Sequence, residues 1–305
     1  MRKTINKLFL IITVISALLL TTGCDLFIKT NKGQVDQKWY MGLTYEDDNG
    51  NDTDYTIGTD GTIAAVALED GYGDEFGIIK GEEAYLNINT IIKNIDKRFY
   101  VDATNNLVMF TDATKTYKTK IGGKTINETE NTDYVISFMD GKNCYVNVKF
   151  VKKYVDFDYK VVKAEGKSPA RIVLKYTSGE KNQMTVKSNI EMRTKADYQN
   201  LIVTTLKKNT KVTVLEESGD WTKVRTDDGF MGYVPAKKLK DKETKKTEFK
   251  SDADTYTHVL MNKKISLGWN AITNLTANGN LETIIEHTKG LNAVSYTHLT
   301  LPTKL

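Results

Sequence analysis

The sequence predicts a multidomain α+β chain: two small α+β repeats, an all-β barrel, and the opening strands of a parallel α/β barrel. Three observations predict it. A segment that begins at Tyr85 recurs sixty residues later at Tyr145. Short strand-like runs with tight polar turns fill residues 210–239, and strand, helix and strand patterns follow one another over residues 263–294. The length of 305 residues allows two or more domains, and 40% hydrophobic with 10% aromatic residues is the composition of folded protein.

The chain opens on Arg2, Lys3 and Lys7, then the apolar run from Leu8 to Leu20, then Thr21-Thr22-Gly23-Cys24. That run has the length of a signal-peptide core and is short for a membrane span. Gly23-Cys24 resembles the bacterial lipobox, although the usual leucine three places before the cysteine is Thr21 here. The resemblance implies a signal peptide over 1–23, diacylglycerol on Cys24, and a protein anchored to the outer face of a Gram-positive cell membrane. Removing the three basic residues takes the formal charge from +4 to +1, and no basic stripe follows, so no nucleic-acid partner is expected. Cys144 is the other cysteine; with Cys24 lipidated it has no disulfide partner and reads as a small apolar strand residue. No histidine precedes His258, so no base is at hand for a catalytic thiol.

Residues 24–56 read as a polar N-terminal segment. Its acidic stretch, Glu46-Asp47-Asp48-Asn49-Gly50-Asn51-Asp52-Thr53-Asp54, places oxygens at alternate positions. A calcium loop would need glycine where Asp52 stands and a closing glutamate where Gly58 stands, so a solvated acidic loop is expected and no metal.

In the repeat, Tyr85-Leu86-Asn87-Ile88 recurs as Tyr145-Val146-Asn147-Val148, and Lys93 and Asp96 fall on Lys153 and Asp156. Each copy reads as a strand, a short helix, and further strands. The helix is expected to bury Ile88, Ile91, Ile92 and Ile95 in the first copy and Val148, Val151 and Val155 in the second. Strands follow around Phe99 and Tyr159, and at Leu107-Val108-Met109-Phe110 and residues 172–176. The pattern resembles the small module at the N-terminus of some copper amine oxidases, widespread in Gram-positive envelope proteins, with Asn87 and Asn147 where that family often has proline. Neither copy, 57–120 or 121–181, holds a histidine, so no imidazole copper site can form and a spacer or adhesive role is expected.

Residues 210–239 hold the runs Val212-Thr213-Val214-Leu215 and Trp221-Thr222-Lys223-Val224 around Glu-Glu-Ser-Gly-Asp, then Asp228-Gly229-Phe230-Met231-Gly232-Tyr233-Val234 and a closing Leu239. With the upstream strand Asn189-Ile190-Glu191-Met192-Arg193, this resembles a bacterial SH3 (SH3b) domain over 182–241. The resemblance implies a small closed barrel and peptidoglycan or another cell-wall glycan as partner. Trp221 reads first as a core residue; Trp221 and Tyr233 are the candidate wall-ligand residues.

Residues 242–262, rich in mixed charge at their start, read as a linker. In 263–294, Ile265, Leu267, Trp269 and Ile272, then residues 281–287 as a helix, then Gly290-Leu291-Asn292 with Val294 and Ser295, resemble the start of a glycoside hydrolase family 18 domain. That implies the truncated start of a (β/α)8 TIM barrel. The family's D-x-x-D-x-D-x-E motif is absent, and His258, His287 and His298 have no partner constellation, so no catalytic residue and no cofactor are assigned. Residues 295–305 resemble a translated sequencing-adaptor tail. The expectation is therefore the targeting and wall-binding part of a family 18 hydrolase acting on N-acetylglucosamine-containing glycan, peptidoglycan or chitin-like, itself inactive. Its alternative is a non-catalytic SH3b wall-binding or adhesion lipoprotein.

Overall fold

The structure, a computed structural model, describes residues 30–112, 115–250, 264, 266–271 and 293–297. The signal segment, Cys24, the helix expected at 281–287 and the tail from residue 298 lie outside the described residues. The chain forms two units that meet in sequence at Asp254 and Thr255.

The first unit begins with a helical turn, Gln37–Tyr40, capped by the Asp36 carboxylate, which accepts from the N–H groups of Lys38 and Trp39. A hairpin of β1 (Thr44–Glu46) and β2 (Asp52–Asp54) follows. The acidic stretch is its turn. Asp47 accepts from the N–H groups of Asn49 (2.9 Å) and Asn51 (2.8 Å), and Gly50 sits at φ +79°. Such an Asx turn satisfies the local backbone with the carboxylate itself.

The first repeat supplies β3 (Thr62–Ala67), β4 (Gly77–Lys80), β5 (Glu83–Asn87), a helix, β6 (Phe99–Asp102), β7 (Leu107–Thr111) and β8 (Thr116–Lys120). From the second come β9 (Thr125–Ile126), β10 (Glu130–Asn131), β11 (Ser137–Asp140), β12 (Asn143–Asn147), the helix Val148–Tyr154, β13 (Asp158–Val162) and β14 (Ala170–Lys175). The copies are interleaved within one sheet of order β11-β12-β5-β4-β3-β14-β13, with β14 parallel to β3 and every other pair antiparallel. They join through equivalent strands: Tyr145 lies opposite Asn87, Val146 opposite Leu86 and Asn147 opposite Tyr85. A local twofold axis therefore passes through the Leu86–Val146 pair.

Asn87 and Asn147 start the two helices. Each is fully buried and accepts from the N–H two residues on, at Asn89 (2.9 Å) and Lys149 (2.8 Å), as an N-cap must. Their amides donate to Glu75 (3.2 Å) and Glu83 (2.9 Å). The first helix departs from expectation: after Ile88–Thr90 it widens into a π turn, Ile91–Ile95. That widening rotates the face, so Ile91 is buried and Ile92 is 37% exposed. In the second helix Phe150 and Tyr154 join Val148 and Val151 inside, whereas Val155 lies past the end and is half-buried.

Strand pleating sorts the side chains to two faces. Ala64, Val66, Leu86, Val146, Ile172 and Leu174 meet the helices and the three-stranded sheet β6-β7-β8. There Phe110 of the first copy stacks on Tyr154 of the second at 4.7 Å, and Phe99 meets Phe150 edge-on at 6.2 Å. Ala65, Ile78, Tyr85 and Tyr145 lie on the opposite face, buried in a second core with the N-terminal segment and the following module. Burial on both faces explains the unbroken apolar runs Ala64-Ala65-Val66-Ala67 and Ile172-Val173-Leu174.

That module is a second sheet built from β15 (Gly179–Val186), β16 (Ile190–Arg193), β17 (Ile202–Leu206), β18 (Lys211–Ser218), β19 (Trp221–Thr226), β20 (Met231–Pro235) and β21 (Leu239–Thr247), in the order β17-β16-β20-β19-β18-β15-β21. Val186, Met192, Val203, Val212, Val224, Val234 and Leu239 share its core. Register shifts after Gln183, Met192 and Val214 curl the sheet. The expected closure is not among the described pairings, since the order ends at β17 and β21.

Two segments read as irregular are in fact paired. Residues 242–247, expected as linker, belong to β21, which runs along β15 from Val186 opposite Leu239 to Gly179 opposite Thr247. Their charge on both faces suits an outermost strand, which lysines protect from further pairing. At the other end the polar N-terminal segment extends β17. Val35 donates to the Ile202 carbonyl and Ile202 to that of Gly33, both at 2.9 Å.

In the second unit, β22 (Leu267–Ala271) pairs in parallel with β23 (Ala293–Thr297), Leu267 opposite Ala293 and Trp269 opposite Ser295. Parallel pairing is what a strand–helix–strand order requires. β23 runs to Thr297, past the boundary expected at residue 294.

Candidate functional site

The candidate surface lies on the outer face of β19 and β20. Because Val224 and Val234 point into the core, Trp221 and Lys223 on β19 and Tyr233 and Pro235 on β20 share the opposite face. Trp221 lies opposite Pro235 and Lys223 opposite Tyr233, so the two predicted site residues are diagonal neighbours. Trp221 is half-buried. The turn-rich segment after Arg193 folds over it, and Tyr198 meets the indole edge-on at 4.8 Å between ring centres. That contact covers one ring edge, and Trp221 keeps part of its surface exposed.

Arg193, 1% exposed, holds that segment in place. Its guanidinium donates to the carbonyls of Asn200 (2.7 Å) and Asn31 (2.9 Å), pairs with Glu191, and lies 5.9 Å from the Tyr198 ring centre. The N-terminal segment thus helps to shape the surface, and the Tyr198 carbonyl accepts from the Asn31 N–H at 2.9 Å. Tyr40 closes the other side. Its hydroxyl donates to the Met231 carbonyl (3.1 Å), and burial, then the neighbouring Tyr233, pushes its phenol up to about 12. Sequence reasoning missed Tyr198 and Tyr40, which lie in polar segments without periodicity. An aromatic residue among turn formers was the one available signal.

The aspartate–glycine turn of the motif is not part of this open surface, because it is docked on the first sheet. The Gly229 carbonyl accepts from Tyr72 (3.1 Å), the Asp228 carbonyl accepts from Arg171 (2.7 Å), and the Arg171 guanidinium stacks 4.2 Å from the Phe230 ring centre. Lys160 and Lys175 both reach Asp227, at 2.8 and 2.9 Å. Arg225 donates to the Leu174 carbonyl at 2.8 Å. The module is clamped to the repeats through this turn, and its Trp221 end faces away from the clamp along β19.

A partly exposed face of two tyrosines, a tryptophan and a lysine, the Lys223 Nζ donating to the Asp70 carbonyl at 3.2 Å, can offer ring surface to the apolar side of a sugar and hydrogen bonds to its hydroxyls. It holds no pair of carboxylates for hydrolysis. A cleft of about 910 Å³ elsewhere, on β7 and β8, is lined by Asn105, Thr116, Lys118, Lys120 and Asn127 among others. Glu128 is its single carboxylate and it has no aromatic ring. Cys144 is 3% exposed in the core of the repeats, and burial pushes its thiol up to about 12, which leaves it unreactive at neutral pH. Among the described residues no three His, Cys, Asp or Glu side chains are grouped to hold a metal ion, and no helix is long and apolar enough to cross a membrane. Cys24 lies outside the described residues.

Residues 188–240 match the family model for a bacterial SH3 domain. No curated protein and no solved structure matches the chain.

Proposed function

We propose that the chain is a non-catalytic cell-envelope protein whose bacterial SH3 module binds cell-wall glycan, with Trp221 and Tyr233 on the contact surface and Tyr198 supporting them. The observation that carries the reading is the half-open Trp221 of an SH3 module, propped by Tyr198 and set beside Tyr233. The two interleaved repeats, similar to the copper amine oxidase N-terminal module, serve as the rigid body on which it is mounted. Diacylglycerol on Cys24 would tether the whole to the outer face of the membrane. Six residues lie between Cys24 and Asn31, which is bonded to the module, so over seven residue-to-residue steps the tether reaches no more than about 25 Å.

The test is retention of the full chain on purified peptidoglycan. Wild type should co-sediment with the wall while Trp221→Ala stays in the supernatant. Equal sedimentation of the two would sink the assignment of the surface, and failure of wild type to sediment would sink wall binding itself.

A second reading, supported by the parallel pairing of β22 with β23, takes residues 263–294 as the opening of a family 18 hydrolase barrel. Sequencing the source locus beyond the codon for Ser295 decides it. A continuous frame carrying the acidic motif on a fourth barrel strand would support the hydrolase, and a frame without it would leave the wall-binding reading alone.

A further inference from the structure

The loop that carries Tyr198 is held from outside the matched SH3 residues. Residues 194–201 leave the sheet between β16 and β17, and the Thr194 N–H on the Leu201 carbonyl (3.0 Å) closes their base. Three consecutive carbonyls of this loop accept from two residues. The Tyr198 carbonyl accepts from the Asn31 N–H (2.9 Å), the Gln199 carbonyl from the Asn31 side-chain amide (3.0 Å), and the Asn200 carbonyl from Arg193 (2.7 Å). Arg193 also donates to the Asn31 carbonyl (2.9 Å), so Asn31 engages the loop and its arginine with N–H, carbonyl and side chain together. Its Oδ1 is taken by the Gly33 N–H (2.8 Å). Lys32 lies 3.7 Å from Glu191, the carboxylate that pairs with Arg193.

From Asn31 the chain runs on beside β17, the last strand of its sheet, and covers that free edge through the Gly33 and Val35 bonds to Ile202. This strap of residues 31–35 is bonded more than it is buried. Lys32, Gly33 and Gln34 are exposed, and Val35 is its one core side chain. A segment with so little buried apolar surface opens locally far more readily than the sheet beneath it. The ladder of β17 with β16 does not use the strap, whereas the loop carbonyls do. Gly33 shows how closely strap and loop approach: a Cβ built on it would lie 3.0 Å from Leu201 Cδ2 and 3.1 Å from Asn31 Oδ1.

We infer that residues 31–35 position the wall-contact surface, with Asn31 as the positioning residue. Asn31 fixes the backbone at 198–200, that backbone sets the Tyr198 ring against the Trp221 indole, and the surface is complete only while the strap is seated. What the surface binds rests on the wall-binding reading; how it is shaped rests on these hydrogen bonds alone. The matched residues 188–240 are therefore an incomplete binding unit, because the residue that orders their aromatic loop lies far upstream of them.

The experiment uses the full chain labelled with 5-fluorotryptophan, the Trp221 fluorine resonance being assigned by its loss in Trp221→Phe. Gly33→Val fills the close approach, Asn31→Ala removes the side-chain donor, and Tyr198→Ala is the reference. Gly33→Val should move the Trp221 resonance toward its position in Tyr198→Ala, and Asn31→Ala should move it part of the way. Retention on purified peptidoglycan should fall about threefold in Gly33→Val, the size expected for a few lost hydrogen bonds acting through one ring. Gly33→Val/Tyr198→Ala should bind no more weakly than Tyr198→Ala alone, since coupled residues are not additive. An unmoved Trp221 resonance in both strap variants, or additive losses in the double variant, would overturn the inference. If Gly33→Val does not fold, Asn31→Ala carries the same comparison. Should wild type fail to sediment with the wall, the wall-binding reading falls; a displaced Trp221 resonance would still uphold the strap, and an unmoved one would overturn it as well.

Discussion

Gly229 packs directly beneath Val173. At φ +87° it closes the turn between β19 and β20, and a Cβ built on it would lie 2.8 Å from Val173 Cγ2 and 3.0 Å from the Ala67 Cβ. The glycine of the SH3 motif therefore has two duties, a left-handed turn and a close approach between two sheets. Gly229→Ala should cost about 2–4 kcal/mol, combining backbone strain with overpacking. Urea denaturation of the full chain reads the loss. A cost under about 1 kcal/mol would mean that the module is not seated on β3 and β14 in solution.

The same turn gives the fold an acid-sensitive contact. Hydrogen bonds from Lys160, then Lys175, hold the Asp227 carboxyl at about 2, below its ordinary 3.8. A carboxylate with a depressed folded-state pKa stabilises the fold above its unfolded value, so its contribution is complete above about pH 4–5 and is lost as pH falls toward 2. The side chain is 66% exposed, so the pair contributes no more than about 1 kcal/mol after solvent screening. Asp227→Asn should therefore lower the melting temperature slightly at pH 7 and converge with wild type near pH 2. A constant difference across that range would exclude the ion pairs as the cause.

How much of this was legible in the sequence depended on the range of each interaction. The repeat could be read because Tyr, Asn, Lys and Asp recur at one offset, and the Asn87 and Asn147 caps act within two residues of themselves. The partner of β14 could not. Ile172-Val173-Leu174 announces a buried strand but carries no mark that it will lie parallel to Ala65-Val66-Ala67, more than a hundred residues earlier. Residues 242–247 misled for a related reason: an outermost strand exposed on both faces has no apolar alternation to read. At the candidate surface Trp221 and Tyr233 came from the motif, while Tyr198, Tyr40 and Arg193 are brought there by loop and backbone contacts that no local pattern encodes.

Asn147 offers a test of the repeat architecture. Its oxygen caps the helix Val148–Tyr154 and its amide faces Glu83, so each half of the side chain has a separate duty. Asn147→Ala should cost about 1–2 kcal/mol through the lost cap. Asn147→Asp keeps an acceptor for the cap but sets a buried carboxylate against Glu83. It should be the more damaging change at pH 7 and recover as the pH falls and the pair takes up a proton. A pH-independent Asp variant would mean that Glu83 does not face this position.

Trp221 separates a structural role from a binding one. A tryptophan truncated in a closed core costs about 3–5 kcal/mol, because the cavity left behind adds to the lost burial. Here the residue is only partly buried, with Tyr198 against one ring edge, so part of that burial is never gained. Trp221→Ala should cost about 1–2 kcal/mol, leave the chain folded at room temperature, and still abolish retention on wall. Tyr198→Ala should lower retention less, since Tyr198 only props the indole. A loss of 4 kcal/mol or more in Trp221→Ala would return the residue to the core and move the search for the glycan contact to Tyr233 and Lys223. A stable variant that still bound wall as tightly as wild type would remove the whole outer face of β19 and β20 from consideration.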